Sequence, residues 1–233
     1  MTERAEDLQL EALRAFTFLS SLRQEWGGAL IVAFGLGGGG SALSIAGNIA
    51  GAGCLAIDAR AEAGRAALRS GACDFVVNTV DEALRVLKNE IRKHQPVSVA
   101  LTMDETAALQ ELVERGVQPE LFAAFGEAKS AEDAARRFGG HGAVIADFGG
   151  KSGMGLDVDA RLEEFTSQHG FSLAAFSFLD GEQVRARDAE LLQLVPPDDR
   201  RRRWFASAPR FFYRERPYRR LAYLTSVERE KLN

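Results

Sequence analysis

Residues 29–53 read ALIVAFGLGGGGSALSIAGNIAGAG. The apolar run at 29–34 predicts a buried strand, the glycines predict a tight turn, and the remainder predicts a helix that begins at Ser41. Gly35, Gly37 and Gly40 match the pattern G-x-G-x-x-G, which indicates a dinucleotide-binding loop when a strand precedes it and a helix follows. We therefore expect a pyrophosphate to lie on this loop.

The predicted contacts of the loop are backbone groups of Gly35, Gly37, Gly38 and Gly40. Glycine lets the backbone N–H groups approach a phosphate closely, and the first turn of the following helix adds free donors and the positive end of its dipole. The alternative is a glycine-rich turn in a Rossmann-like domain that has lost its ligand or binds another nucleotide.

The second predicted strand, CLAID at residues 54–58, ends in Asp58, eighteen residues after Gly40. An acid near this spacing accepts hydrogen bonds from the adenosine ribose hydroxyls. Its charge also repels a 2′-phosphate, which favours NAD over NADP as the cofactor. Arg60 weakens that preference, because its side chain could reach toward a phosphate.

Apolar runs and helical patterns alternate along the rest of the chain, which is typical of an α/β fold with a mostly parallel, Rossmann-like sheet flanked by helices. We predict strands at residues 29–34, 54–58, 75–77, 97–101, 121–125, 143–147 and 171–178. Predicted helices cover residues 41–52, 62–70, 81–93, 104–115, 131–138 and 159–168. Asp81 and Asp104 are predicted N-caps, and Gly116 a C-terminal stop.

We expect one domain over residues 1–233, with a leading amphipathic helix in 1–27 against the flank of the sheet, a dinucleotide-binding core in 28–195 and a docking segment in 196–233. Residues 200–233 carry eleven Lys/Arg and three Asp/Glu, although the whole chain has a net charge of -4. Arginines interleaved with aromatic residues can bind nucleic acid. We favour docking on the acidic main body or across a dimer interface, and consider nucleic acid unlikely as a partner.

Composition excludes several other classes of protein. No apolar run approaches the roughly 18–20 residues that span a bilayer, and the N-terminus lacks the features of a secretory signal, so we expect no membrane segment and a cytoplasmic location. Cys54 and Cys73 are expected to be small buried hydrophobes. His94, His141 and His169 stand alone, so no metal site is predicted.

Three acids, Asp104, Asp147 and Asp157, fall where a general acid or base would be placed, at strand ends or in loops. Helix capping accounts for Asp104 equally well, so no catalytic residue is assigned. Among the three acids, Asp147 is the strongest candidate for a catalytic role. A second glycine-rich stretch at residues 148–155 resembles a P-loop, but Ile145 stands where that motif needs glycine. We predict a flexible loop there, or alternatively a lid or an anion contact.

The segment GLGGGGSALSIAGNIAGAGCLAIDA, residues 35–59, resembles the NAD-binding segment of urocanase (urocanate hydratase). Residues 80–121, 171–199 and 203–229 are similar to later segments of the same family. The resemblance implies a Rossmann-like fold with NAD bound at Gly35, Gly37, Gly38, Gly40 and Asp58. In urocanase the nicotinamide acts as an electrophile that adds to the substrate's imidazole ring. A link between this chain and histidine metabolism is implied by the resemblance alone.

The sequence also departs from that family. Residues 124–138 lack the polar T-D-Q-T-S-like stretch that follows the fifth strand, and we find no counterpart of the active-site cysteine segment or of the N-terminal substrate-contacting portion. We therefore expect an NAD-binding or regulatory module, or a subunit completed by a partner chain or by another copy of itself. The alternatives are an independent enzyme, as an oxidoreductase or a hydratase, and a scaffold that binds no nucleotide.

Overall fold

The computed structural model describes residues 7–125, 129–149 and 155–232. The strands of its main sheet are β1 (Leu30–Phe34), β2 (Gly53–Ile57), β3 (Phe75–Val77), β4 (Val97–Leu101), β5 (Leu121–Ala124), β6 (Val144–Asp147) and β7 (Leu156–Asp157). Every neighbouring pair in this sheet is parallel, and the strand order is β3-β4-β2-β1-β5-β6-β7. The predicted α/β class with a mostly parallel sheet is confirmed.

Helices account for most of the remaining described chain. They are α1 (Leu8–Leu22), α2 (Gly38–Ala50), α3 (Ala61–Ser70), α4 (Val80–Arg92), α5 (Glu105–Glu114), α6 (Lys129–Gly140), α7 (Val158–Gln168), α8 (Gly181–Leu194), α9 (Arg201–Phe212) and α10 (Ser226–Glu230). None of them is both long enough and apolar enough to cross a membrane, as far as the described residues go.

Two apolar layers enclose the main sheet. Helices α4, α5 and α6 pack on one face, and α2 and α3 pack on the other. Strands β1, β2 and β4 are buried along their whole length, which explains why their sequences are almost entirely apolar rather than alternating, with Ser98 of β4 as the one polar residue. The leading helix α1 lies along α2 and also contacts α7, so it forms an outer layer instead of resting on the sheet itself.

A second, antiparallel sheet consists of β8 (Ser172–Phe178) and β9 (Tyr218–Leu224). Side chains from other elements bind the backbone of β9 at Leu221: Gln9 of α1 accepts from its N–H at 2.8 Å, and the Trp204 indole of α9 donates to its carbonyl at 3.0 Å. In the interior, Arg220 donates to both carboxylate oxygens of Asp188, and both side chains are almost fully buried. These bonds attach the small sheet to α1, α8 and α9.

Residues 200–233 form a basic tail, which packs against α1, α2 and α8 through α9. It buries Trp204, Phe205 and Phe212. Its arginines contact carboxylates, backbone carbonyls or aromatic rings of the same chain; they are Arg200, Arg201, Arg202, Arg203, Arg210, Arg214, Arg216, Arg219 and Arg220. Such contacts are what the docking interpretation requires of them.

Some local predictions were wrong. Residues 172–178 form a strand as expected, but it belongs to the small antiparallel sheet and not to the main one. Helix α4 is capped by the Thr79 hydroxyl, which accepts from the N–H of Glu82, whereas Asp81 lies in the first turn and pairs with Arg115. Asp104 caps α5 as predicted, by accepting from the N–H of Ala107. Gly116 ends the same helix with a φ of 67°.

Candidate functional site

The glycine loop lies where β1 passes into α2. Gly35 continues the sheet by donating to the carbonyl of Ile57 at 2.7 Å, and then turns the chain with a φ of 94°. The turn is so tight that a Cβ on Gly40 would stand 1.9 Å from the carbonyl oxygen of Gly35. Gly40 is therefore required by the turn itself, before any ligand is considered.

The first turn of α2 is open to a ligand. Its N-cap is Gly37, which supplies no side-chain hydrogen bond to the free N–H groups of that turn. Apart from its two chain neighbours, no residue in the described part of the chain would come within 4 Å of a Cβ on Gly37. The helix therefore presents uncapped donors and the positive end of its dipole on an accessible surface, which is the arrangement that binds phosphate in other proteins.

The loop also lies at the point where the strand order of the sheet reverses. From β1 the chain passes to β2 on one side, and β5 later pairs on the other side of β1. In open α/β sheets this arrangement leaves a crevice at the carboxyl ends of the two strands, where ligands bind.

Two aromatic side chains stand at this crevice, and the sequence analysis did not identify them. Phe125 follows β5 directly, and its ring would come within 2.3 Å of a Cβ on Gly39. The ring of Phe148, just after β6, lies 5.2 Å from that of Phe125. Their signal was their position at the carboxyl edge of the sheet, since Phe125 is the last residue of one predicted strand and Phe148 directly follows the next. Phe125 covers part of the loop and leaves Gly37 open.

A cavity of about 340 Å³ remains between the loop, α1 and the two rings. Its lining consists of Glu11, Ala15, Gly37, Gly38, Gly39, Ala42, Phe125 and Phe148. The volume lies at the lower end of the range for small-molecule sites, about 300–1,000 Å³, so it suits one part of a dinucleotide rather than the whole. Glu11 was also not identified, because no pattern in α1 shows which of its residues meets the loop.

Asp58, just after β2, contacts the glycine loop at Leu36, and its carboxylate is hydrogen-bonded within the chain. Oδ2 accepts from the N–H of Leu36 at 3.0 Å and from Arg60 Nη2 at 2.8 Å. Oδ1 accepts from the backbone N–H and from Nε of Arg60, both at 2.9 Å. Burial acts to raise the pKa of Asp58, but the hydrogen bonds from Arg60 and Leu36 outweigh it and hold that pKa below its usual value. The contact with a ribose stays a prediction.

The other acids have structural partners. Asp104 and Asp157 are N-caps of α5 and α7. Asp147 accepts from the N–H of Gly149 at 3.2 Å. This bond lies at the start of the second glycine-rich stretch, residues 148–155. Residues 150–154 of that stretch lie outside the described part of the chain. A catalytic role for Asp147 stays a hypothesis.

Two of the three histidines and both cysteines pack within the chain. The His94 side chain lies against Gly27 and Gly28, and His169 stacks on Phe171, whereas His141 is exposed. Burial raises the pKa of Cys54 well above its usual value and that of Cys73 to about 12, and both thiols are free. Within the ranges that the structure describes, no cluster of three His, Cys, Asp or Glu could hold a metal ion.

Comparison with protein families agrees with this geometry. The family model described as the Urocanase Rossmann-like domain matches residues 13–134. The match begins within α1, includes the glycine loop and Asp58, and ends within α6. It therefore covers every described residue that lines the loop cavity except Glu11 and Phe148.

Proposed function

The chain belongs to the urocanase Rossmann-like domain family, and from this premise we propose that it binds NAD at residues 35–40 and acts as a binding or regulatory module, or as a subunit whose active site a second chain completes. The observation that carries the proposal is the uncapped first turn of α2, which faces an open cavity at the point where the strand order reverses.

In this proposal the pyrophosphate lies against the backbone of Gly35, Gly37, Gly38 and Gly40. The side of the loop at Gly37 has room for it, because no described residue other than its two chain neighbours comes within 4 Å of a Cβ placed there. Asp58 is the partner proposed for the adenosine ribose. When bound, NAD supplies an electrophilic nicotinamide ring.

The proposal is tested by calorimetric titration of the purified, ligand-stripped protein with NAD. We expect saturable binding that weakens about tenfold or more in Gly37→Ala, because a methyl group there holds a phosphate away from the N–H groups. The fold should persist in this variant, since the added Cβ meets nothing and the φ of -63° suits alanine.

Gly140→Ala is the matched control, because a Cβ there also meets nothing and the residue ends α6. It should bind NAD like the wild type, whereas Asp58→Ala should bind it more weakly. If the wild type gives neither heat nor thermal stabilisation with NAD, the proposal is wrong. The chain is then a Rossmann-like scaffold in which Phe125 covers part of the loop.

One observation favours the alternative of an independent enzyme. Glu11 is the one titratable side chain among the described residues that line the loop cavity, so it is the group that a general acid or base role would require. An enzyme should turn over a substrate with NAD and lose that activity in Glu11→Gln while NAD binding persists. A binding module should bind NAD without turning over a substrate, both in the wild type and in Glu11→Gln.

A further inference from the structure

The environment of Asp58 and Arg60 bears on which dinucleotide the site accepts. The Asp58 side chain is 1% exposed, whereas that of Arg60 is 71% exposed. An ionised carboxylate offers about four sites for hydrogen bonds, and Leu36 and Arg60 together fill four on Asp58. A ribose hydroxyl can therefore reach Asp58 only where a group of Arg60 leaves.

The pairing also removes the usual basis for rejecting NADP. A free carboxylate at this position would repel a 2′-phosphate. Here the guanidinium of Arg60 compensates the charge of Asp58, and the guanidinium, not the carboxylate, faces the solvent. Nε and Nη2 of Arg60 bind Asp58, and among the described residues none accepts from Nη1. The planar guanidinium thus keeps donors on its outer side, in a geometry that suits phosphate.

Two other acids, Glu105 and Glu62, lie near this pair in the chain or in space. The hydrogen bonds that Arg60 donates to Asp58 are the main cause that raises the pKa of Arg60, and the charge of Glu105 adds to it. Glu105 also accepts from the N–H of Ala59 at 3.2 Å. Glu62 binds Arg65 and Arg69 on the outer face of α3. Long-range attraction for a phosphate is therefore weak here, and recognition depends on direct hydrogen bonds from Arg60.

We infer that Arg60 determines the nucleotide specificity of the glycine-loop site: its guanidinium binds the 2′-phosphate of NADP and competes with the ribose hydroxyls of NAD for Asp58. The inference rests on the proposed function. It predicts that the wild type accepts NADP about as well as NAD, although an acid directly follows β2.

The test is calorimetric titration of the wild type and of Arg60→Ala with NAD and with NADP. The variant should bind NADP about tenfold or more weakly, because charge-assisted hydrogen bonds are lost and the 2′-phosphate meets an uncompensated Asp58. It should bind NAD more tightly than the wild type does, because Asp58 is free to accept from the ribose. Opposite changes for the two ligands are the signature of the inference.

Arg65→Ala is the matched control, since Arg65 is an exposed arginine of α3 that binds Glu62 and not Asp58. It should leave both affinities unchanged, and Arg60→Lys should keep part of the NADP affinity, because it retains the charge without the planar guanidinium. Thermal unfolding of each variant checks that it is folded.

The outcomes separate the two proposals. Equal changes for NAD and NADP in Arg60→Ala, or a wild type that binds NAD and rejects NADP, would overturn the inference and leave the proposed function intact. Failure of the wild type to bind either dinucleotide would overturn both.

Discussion

At the scale of single residues, the sequence predicted the backbone of the site better than its side chains. The structure brings the glycines and Asp58 together, because a tight turn and a strand end are local features of the chain. Phe125, Phe148 and Glu11 reach the same cavity from three separate segments. Which side chains converge there depends on how helices and strands pack, and no local pattern encodes it.

Gly40 illustrates a residue that the turn requires whether or not a ligand binds. We expect Gly40→Ala to lower the free energy of unfolding by about 2 kcal/mol, because its Cβ would overlap the Gly35 carbonyl and force the loop to move. The better helix propensity of alanine offsets only part of that cost, about 1 kcal/mol.

The measurement for Gly40→Ala is urea unfolding, with Gly37→Ala as the reference because its added Cβ meets nothing. Equal midpoints for the two variants would show that the loop relaxes freely around the new side chain. The two variants also separate the role of glycine in ligand binding from its role in the turn. Gly37→Ala is expected to weaken NAD binding alone, whereas Gly40→Ala is expected to weaken NAD binding and also to lower stability.

At the scale of elements, the strands of the main sheet were predicted where the apolar signal is continuous. Strands β1 to β6 begin and end within one residue of their predicted limits. Strand β9 was not predicted, because the adjacent residues Arg219 and Arg220 interrupt its apolar pattern. Arg220 is nevertheless buried, since Asp188 of α8 neutralises it, and this partner is distant in sequence. The two-residue strand β7 is too short to give a pattern.

Helix α5 tests the two interpretations of Asp104. If Asp104 only caps the helix, Asp104→Ala should cost about 1 kcal/mol of stability, because the N–H of Ala107 loses its acceptor at 2.8 Å. Asp104→Asn should cost little, since asparagine caps helices about as well as aspartate. Both variants should bind NAD like the wild type.

Urea unfolding and NAD titration of both Asp104 variants provide the measurement. Weaker NAD binding with unchanged stability would instead place Asp104 among the ligand contacts. Asp180→Ala serves as the control, because Asp180 caps α8 in the same manner by accepting from the N–H groups of Glu182 and Gln183.

At the scale of the whole molecule, one network joins the C-terminal elements. Arg201, at the start of α9, donates to the carbonyl of Tyr223 in β9 and to both carboxylate oxygens of Glu228 in α10. It also binds Asp199, which precedes the helix. The side chains of Arg201 and Glu228 are only 12% and 13% exposed, so this ion pair is shielded from solvent far more than a surface pair.

This network predicts a dependence of stability on pH. Burial acts to raise the pKa of Glu228, but hydrogen bonds from Arg201 and Thr225 outweigh it and hold the pKa below its ordinary value of 4.5. A carboxylate with a lowered pKa in the folded state stabilises the fold above its unfolded pKa, and the stabilisation is lost as the pH falls through the folded value. Stability should therefore decline below pH 4.5.

Glu228→Gln isolates this contribution, because glutamine keeps the shape of the side chain and removes its charge. We expect the variant to be less stable than the wild type by about 1–2 kcal/mol at pH 7, with the difference shrinking toward zero as the pH falls through the lowered pKa of the wild-type carboxylate and neutralises it. Urea unfolding at several pH values measures it. Glu230→Gln, an exposed position of α10, should show no such convergence. A constant difference at every pH would assign the stabilisation to packing of Glu228 instead of to its charge.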